Sequence, residues 1–178
     1  MSSVVNPQHH FTSALQKLEF DKVKDRVARL TSSEPGRMRA RHLSPLTGCT
    51  AIQEELQRVS EAKELLVAEG AVPIDGLKDI SPALKKTLVE NHLLTAQELL
   101  EVASTLRAAR LVHAFLTKRR TLYPHLALFL PDLFFEKVVE YNIESAIDES
   151  GAIHDNASRE LKRIRQDIIT GEESLRKH

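Results

Sequence analysis

Residues Thr95 to Arg120 read TAQELLEVASTLRAARLVHAFLTKRR, the longest uninterrupted helical pattern in the chain. At 100° per residue, Leu99, Val102, Ala103, Leu106, Ala109, His113 and Leu116 fall on one side, and Leu100, Ala108, Leu111, Val112 and Phe115 cover much of the other. A helix apolar on two sides needs neighbours on both. The segment therefore predicts the centre of a helical bundle, with Leu99, Val102, Leu106, Ala109 and Leu116 as structural core. Thr95 followed three residues later by Glu98 predicts a capping box, each side chain serving a free backbone N–H of the other's turn. Nothing interrupts the pattern before Pro124. About 25 residues at 1.5 Å each make a rod of roughly 37 Å, longer than a small domain ordinarily needs.

The rest of the composition agrees with a helical class. With 178 residues, 42% apolar but only 4% aromatic, the chain can bury a core of Leu, Val, Ile and Ala, which favours helices over sheets. Net charge is zero, so any attraction to nucleic acid or membrane has to come from local patches. The lone Cys49 excludes an internal disulfide and fits a reducing cytoplasm. MSSVVNPQHH has neither a basic nor an apolar leader region, and no run approaches the length of a membrane span.

Along the chain, residues 1–10 read as a disordered arm and 11–157 as one helical core domain. Helical spacing from Phe11 to Leu30 has a short break near Leu18 to Phe20, and Ser33-Glu34-Pro35 opens a short helix through Arg41. Arg37, Arg39 and Arg41 step by 200°, which spreads them around that helix and makes it a solvated basic rod rather than a nucleic-acid site. A helix over 51–69 shows Ile52, Leu56, Val59 and Leu66, with the small Ala62 and Lys63 region, as its core stripe, and an acidic outer face of Glu54, Glu55, Glu61 and Glu64. Gly70 to Asp79 is a loop, and Ser81-Pro82 starts a helix with Ser as N-cap. The Leu- and Phe-rich segment around Pro124 and Pro131 packs under the bundle. Asp148 and Gly151 predict a small β-hairpin over 147–154. Ser158 caps a last helix, 158–178, in which Leu161, Ile164, Ile168 and Leu175 form a coiled-coil-like seam that projects from the core and runs to the end of the sequence. The fold class is thus all-α, a helical bundle with one hairpin. A seam without a partner predicts that the natural chain continues.

No catalytic signature is present. The six glycines make no P-loop, and none of the eight His residues follows a Glu by three positions; HExxH, paired Cys for zinc and GxSxG are also missing. Catalytic, cofactor-binding and metal residues are therefore none. His113 reads as a core or edge histidine. Two basic clusters are the nucleic-acid candidates. Lys118, Arg119 and Arg120 equally suit the C-terminal end of a helix dipole. Lys162, Arg163 and Arg165 equally suit the flanks of a coiled coil, because Glu160 and Asp167 among them would repel a phosphate backbone.

Four stretches, read in order, resemble the MutS family, specifically its second bacterial branch: Leu15-Gln-Lys-Leu18-Glu19-Phe20-Asp21, Gly76-Leu-Lys-Asp79-Ile, Leu99-Leu-Glu-Val-Ala103-Ser-Thr-Leu106-Arg-Ala-Ala-Arg110, and Ala146-Ile-Asp-Glu-Ser-Gly151-Ala-Ile-His-Asp155-Asn-Ala-Ser158-Arg-Glu-Leu161-Lys-Arg-Ile-Arg165. The resemblance spans residues 12 to 178. It implies an α-helical core that sends a long lever toward a clamp around nucleic acid, in a dimeric protein with a P-loop ATPase using ATP and Mg, and an endonuclease domain. Such a protein suppresses recombination on DNA, rescues collided ribosomes through rRNA, or does both. This segment would supply the core and the start of the lever and carry no active site of its own. Arg159, where the branch often has Pro, is a departure that leaves the helix start intact. Competing expectations are an autonomous nucleic-acid-binding helical domain and a self-associating helical scaffold.

Overall fold

A computed structural model describes residues 13–176, so the arm expected over 1–10 lies outside the described residues. A helical segment over 13–17 ends in a turn at Leu18 and Glu19, where Glu19 takes a left-handed φ of 52°, as the break expected there requires. Helix α1 then spans Phe20–Arg29 and α2 spans Glu34–Arg41. Ser33 Oγ accepts from the Gly36 amide at 3.2 Å and Pro35 occupies the first turn, so α2 begins where its sequence announces it. The small residues Ala28 and Ala40 are the buried ones in α1 and α2, and their size lets the two helices close on each other. These helices belong to a compact unit, Met1–Ile52; a second unit is Gln53–His178.

Six further helices and a 3-10 turn follow: α3 (Cys49–Glu69), α4 (Ser81–Thr87), α5 (Ala96–Thr117), α6 (Pro124–Ala127), the 3-10 turn Leu130–Asp132, α7 (Lys137–Ala146) and α8 (Arg159–Arg176). The predicted rod is α5. Its capping box is complete, with the Glu98 amide donating to Thr95 Oγ1 at 3.2 Å and the Thr95 amide donating to Glu98 Oε2 at 2.9 Å. Lys86 of α4 pairs with the same Glu98.

Two apolar clusters share α5 end to end. Toward its start, Ala103 packs with Ile143 and Ile147, backed by Leu99, Leu100 and Val102. Toward its end, Leu116 packs with Leu65 and Tyr123, backed by Val112, Phe115, Leu126, Leu130 and Leu133. Leu106, between them, is also buried, and Ala109 is half-buried. Leu65 is 1% exposed, and its burial contributes on the order of 2 kcal/mol. The loop before α4 is stapled to α5 as well: Ser104 Oγ donates to the Gly76 carbonyl at 2.8 Å, and the Lys78 amide donates to Thr105 Oγ1 at 3.2 Å. Gly76 has φ +85°, and a Cβ there would collide with Ser104 Oγ, so two independent constraints demand glycine.

Three expectations are overturned. Ser81 is the first residue of α4 and not its N-cap, which is Ile80 and makes no side-chain cap. Ile52, Leu56, Val59 and Leu66 are exposed, at 38%, 60%, 62% and 50%, and are not the core stripe of α3. Apolar residues occur on several sides of that helix, and the side that is buried holds Glu61 and Leu65, because Glu61 has partners to meet there. The β-hairpin over 147–154 is likewise absent, with no strand among the described residues. Ile147 and Ile153 form one isolated antiparallel bridge. Helix α7 continues to Ala146 and the residues after His154 turn toward α8, so a second rung has no chain to form it. The Asp148 carboxylate shapes the connection instead, accepting from the Ser150 amide at 2.8 Å, Ser150 Oγ at 2.6 Å and the Ala152 amide at 2.9 Å. Gly151 does take the left-handed φ expected of it, at +86°.

Ser158 Oγ accepts from the Leu161 amide at 3.1 Å and caps α8, which buries no residue. No helix among the described residues is long and apolar enough to cross a membrane.

Candidate functional site

In the second unit α5 makes ion-paired joints to α3, α4 and α7 and borders an open cleft. Of the first basic cluster, Lys118 is the C-cap of α5 and is exposed, as is Arg120. Arg119 is committed elsewhere. Its Nε and a terminal nitrogen grip Glu69 at 2.8 and 2.6 Å, its other terminal nitrogen donates to the Phe115 carbonyl at 3.1 Å, and its guanidinium lies 3.9 Å from the Phe115 ring centroid. The hydrogen bonds to Glu69 hold Arg119 above its ordinary value and hold Glu69 below the usual carboxylate range. The three cations therefore do not act as one patch, and the middle one ties α3 to the end of α5.

In the second cluster, Lys162 and Arg163 are exposed. Arg165 turns back to pair with Asp155 and to donate to the Ile153 carbonyl at 3.2 Å, which fixes the start of α8 against the turn before it. On the seam, Leu161 is half-buried, while Ile164, Ile168 and Leu175 are exposed at 44%, 54% and 80%. The apolar row is present as a row, and from Ile164 onward it is exposed. His113 stands edge-on to Phe135, with ring centroids 5.0 Å apart at 60°, a packing role rather than a catalytic one.

Two carboxylates are buried: Glu140, which periodicity did not single out, and Glu61, which it assigned to the outer face of α3. Glu140, 6% exposed, accepts from Arg110 at 3.0 and 2.5 Å, with Arg107 Nε 3.5 Å away; Arg107 also pairs with Glu144. The Arg110 hydrogen bonds, aided by the charge of Arg107 and opposed by burial, hold Glu140 below the usual carboxylate range. The signal was an acid on α7 in line with Ile143 and with Ile147 just past its end, opposite an Arg pair three apart on α5. Glu61, 8% exposed, accepts from the His125 and Leu126 amides at 3.1 and 2.9 Å and sits 2.6 Å from His125 Nδ1. It satisfies the free amides at the start of α6. Burial pushes its carboxyl up, but the His125 ring and the two amides outweigh that and leave it lowered. Nothing local marks Glu61, since its partners lie more than sixty residues away.

Three of the four sequence stretches singled out above meet in space. A cleft of about 580 Å³ is lined by Lys78 from the second stretch, Glu101, Ser104 and Arg107 from the third, and Asp148 and His154 from the fourth. Three of its groups are committed: Ser104 Oγ to Gly76, Arg107 to Glu140 and Glu144, and Asp148 to its own turn. Among the described residues no three His, Cys, Asp or Glu are grouped to hold a metal ion. The arrangement positions α5, α7 and the turn before α8 relative to one another.

No family model matches the chain. Curated relatives do. The chain is 34% identical over 168 residues to the Endonuclease MutS2 of Geobacillus sp. (strain WCH70), covering 93% of this chain and 21% of that protein. It is 33% identical over 165 residues to the Endonuclease MutS2 of Pelotomaculum thermopropionicum, with the same coverage, and 31% identical over 162 residues to that of Listeria welshimeri, covering 89% and 20%. The chain thus spans about a fifth of the length of the curated relatives it matches.

Proposed function

We propose that this chain, a MutS2-type segment by its similarity to those relatives, is the non-catalytic core and the first stretch of the lever of a protein that acts on DNA, and that it carries motion between a nucleotide-hydrolysing part and a distant clamp. The contrast between α5 and α8 supports this reading most. Helix α5 is held by apolar clusters at both ends and by ion pairs to α3, α4 and α7, whereas α8 buries nothing and presents a row of isoleucines and leucines. A packed anchor joined to a stiff, unpacked rod is what mechanical transmission requires, because a packed core shifts as a body and a helix resists bending. ATP and Mg, an endonuclease centre, a homodimer contact and any ribosomal partner would belong to the whole cytoplasmic protein rather than to groups of this segment.

Replacing the aligned segment of the Geobacillus protein by this chain tests the reading. The chimera should keep DNA-stimulated nucleotide hydrolysis. Ile164→Lys with Ile168→Lys should abolish the stimulation while leaving basal hydrolysis intact. Stimulation untouched by both changes would reject a lever role for α8.

The same exposed row favours a second reading, a self-associating scaffold. Sedimentation of the 178-residue chain should then show a dimer that the two substitutions convert to monomer, and a dimer surviving both would place the contact elsewhere.

A further inference from the structure

The zero net charge of the chain conceals a split. Met1–Ile52 carries eight Lys and Arg against four Asp and Glu, and Gln53–His178 carries seventeen against twenty-one, so the first unit has four surplus positive charges and the second the matching negative surplus. Much of the positive surplus lies on α1 and α2. The 200° step that parts Arg39 from its neighbours brings Arg41 back to within about 40° of Arg37, so these two do share a face, contrary to their reading as a scattered set. In the structure they border a cleft of about 470 Å³ whose other lining residues are Asp25, Ala28 and Arg29 of α1, with Arg39 not among them. A second depression of about 400 Å³ adjoins it, lined by Lys22, Asp25, Arg26 and Arg29. Lys22, Arg26 and Arg29 follow the i, i+4, i+7 spacing that puts them on one side of α1.

We propose that this face of α1 and α2 binds the phosphate backbone of nucleic acid. Five cations line the two depressions, and Asp25 is the sole carboxylate lining either. Arg26, Arg29 and Arg41 form no ion pair among the described residues; Lys22 and Arg37 are held only by exposed pairs to Glu19 and Glu34, which a phosphate can displace. Buried Ala28 and Ala40 keep the helices close, which brings guanidinium forks from both onto one groove, and such forks match phosphate oxygens in pairs. From Lys22 to Arg29 α1 rises about 10 Å, past roughly three phosphates of a strand that advances about 3.4 Å per nucleotide. The site is independent of the lever reading: failure of the chimera leaves it standing, and its own failure leaves the lever standing.

Fluorescence anisotropy of the 178-residue chain tests the proposal, with a labelled DNA duplex of about 20 base pairs and an RNA hairpin of similar length, between about 50 and 200 mM salt. At least one probe should bind, and the difference between the two arms identifies the nucleic acid. Arg29→Ala with Arg41→Ala should weaken binding by about tenfold or more at low salt and flatten the salt slope by about two. Arg29→Lys with Arg41→Lys should retain the slope, and Arg39→Ala should retain affinity. Both altered arginines are exposed, so the melting curve should not change. Absence of binding to either probe at low salt, an equal loss with Arg39→Ala, or displacement of the nucleic acid by polyglutamate of matched charge as readily as by unlabelled nucleic acid would overturn the proposal.

Discussion

Glu140 occupies a place on α7 where the line through Ile143 and Ile147 calls for an apolar side chain, and it is tolerable there because Arg110 meets it with two hydrogen bonds. Removing the carboxylate leaves that guanidinium unpaired beside an apolar cluster. A fully buried pair broken this way loses about 3–5 kcal/mol; Arg110 keeps 28% of its side chain in contact with solvent, so Glu140→Ala should cost about 2–3 kcal/mol in a denaturant titration. The sign of the pH dependence follows from the same contacts. Arg110 at Glu140, and the His125 ring with two amides against the burial of Glu61, lower both folded-state values below the unfolded carboxylate value of about 4.3. Between the two values the unfolded chain binds more protons, so this stabilisation is fully present above about pH 4.3 and is lost as pH falls through the folded values. The melting temperature should be flat from about pH 7 to 5 and drop below about pH 4.3. Glu140→Gln should make that drop shallower, and an unchanged slope would assign the effect to other carboxylates. Legibility at this scale followed sequence distance. The Thr95–Glu98 box could be read because its partners are three apart, whereas Glu61 reaches amides more than sixty residues away.

At the scale of elements, α5 was legible because twenty-two residues without Gly or Pro, apolar on two sides, admit few alternatives. Its role as anchor predicts that Leu106→Asp, which puts an unpaired charge at a position 8% exposed, abolishes the cooperative melt seen by circular dichroism. A melt matching the parent chain would mean that α5 is not the anchor. The break at Leu18 and the starts of α2 and α8 were equally readable, each marked by a local capping or turn residue. The buried side of α3 was not. Leu56, Val59, Leu65, Leu66 and Val67 surround that helix, so periodicity alone does not choose a face, and the choice falls to Glu61 and Leu65 through partners distant in sequence. The segment after α7 carried real turn chemistry in Asp148 and Gly151, but a turn becomes a hairpin only when chain on both sides is free to pair. Here α7 claims one side and a turn toward α8 the other. Arg37 and Arg41 show the same limit: four residues apart in α2, they align on one face, and it is Arg29 of α1 that completes their cleft.

At the scale of the molecule, both apolar clusters lie in the second unit, and the apolar row of α8, in that same unit, is exposed from Ile164 onward. Helix α5 is thus read as the rigid part of the second unit and α8 as an arm tied near its start by Arg165 and exposed along its apolar row from Ile164 onward. Native-state hydrogen exchange, at a concentration where the chain sediments as a monomer, tests that claim most directly. Amides of Ala103 to Leu116 should be the slowest in the protein and should open only with global unfolding, while those of Ile164 to Leu175 should exchange orders of magnitude faster. Protection of α8 equal to that of α5 in the monomer would contradict the account, because it would mean that the row of isoleucines is already packed within this chain.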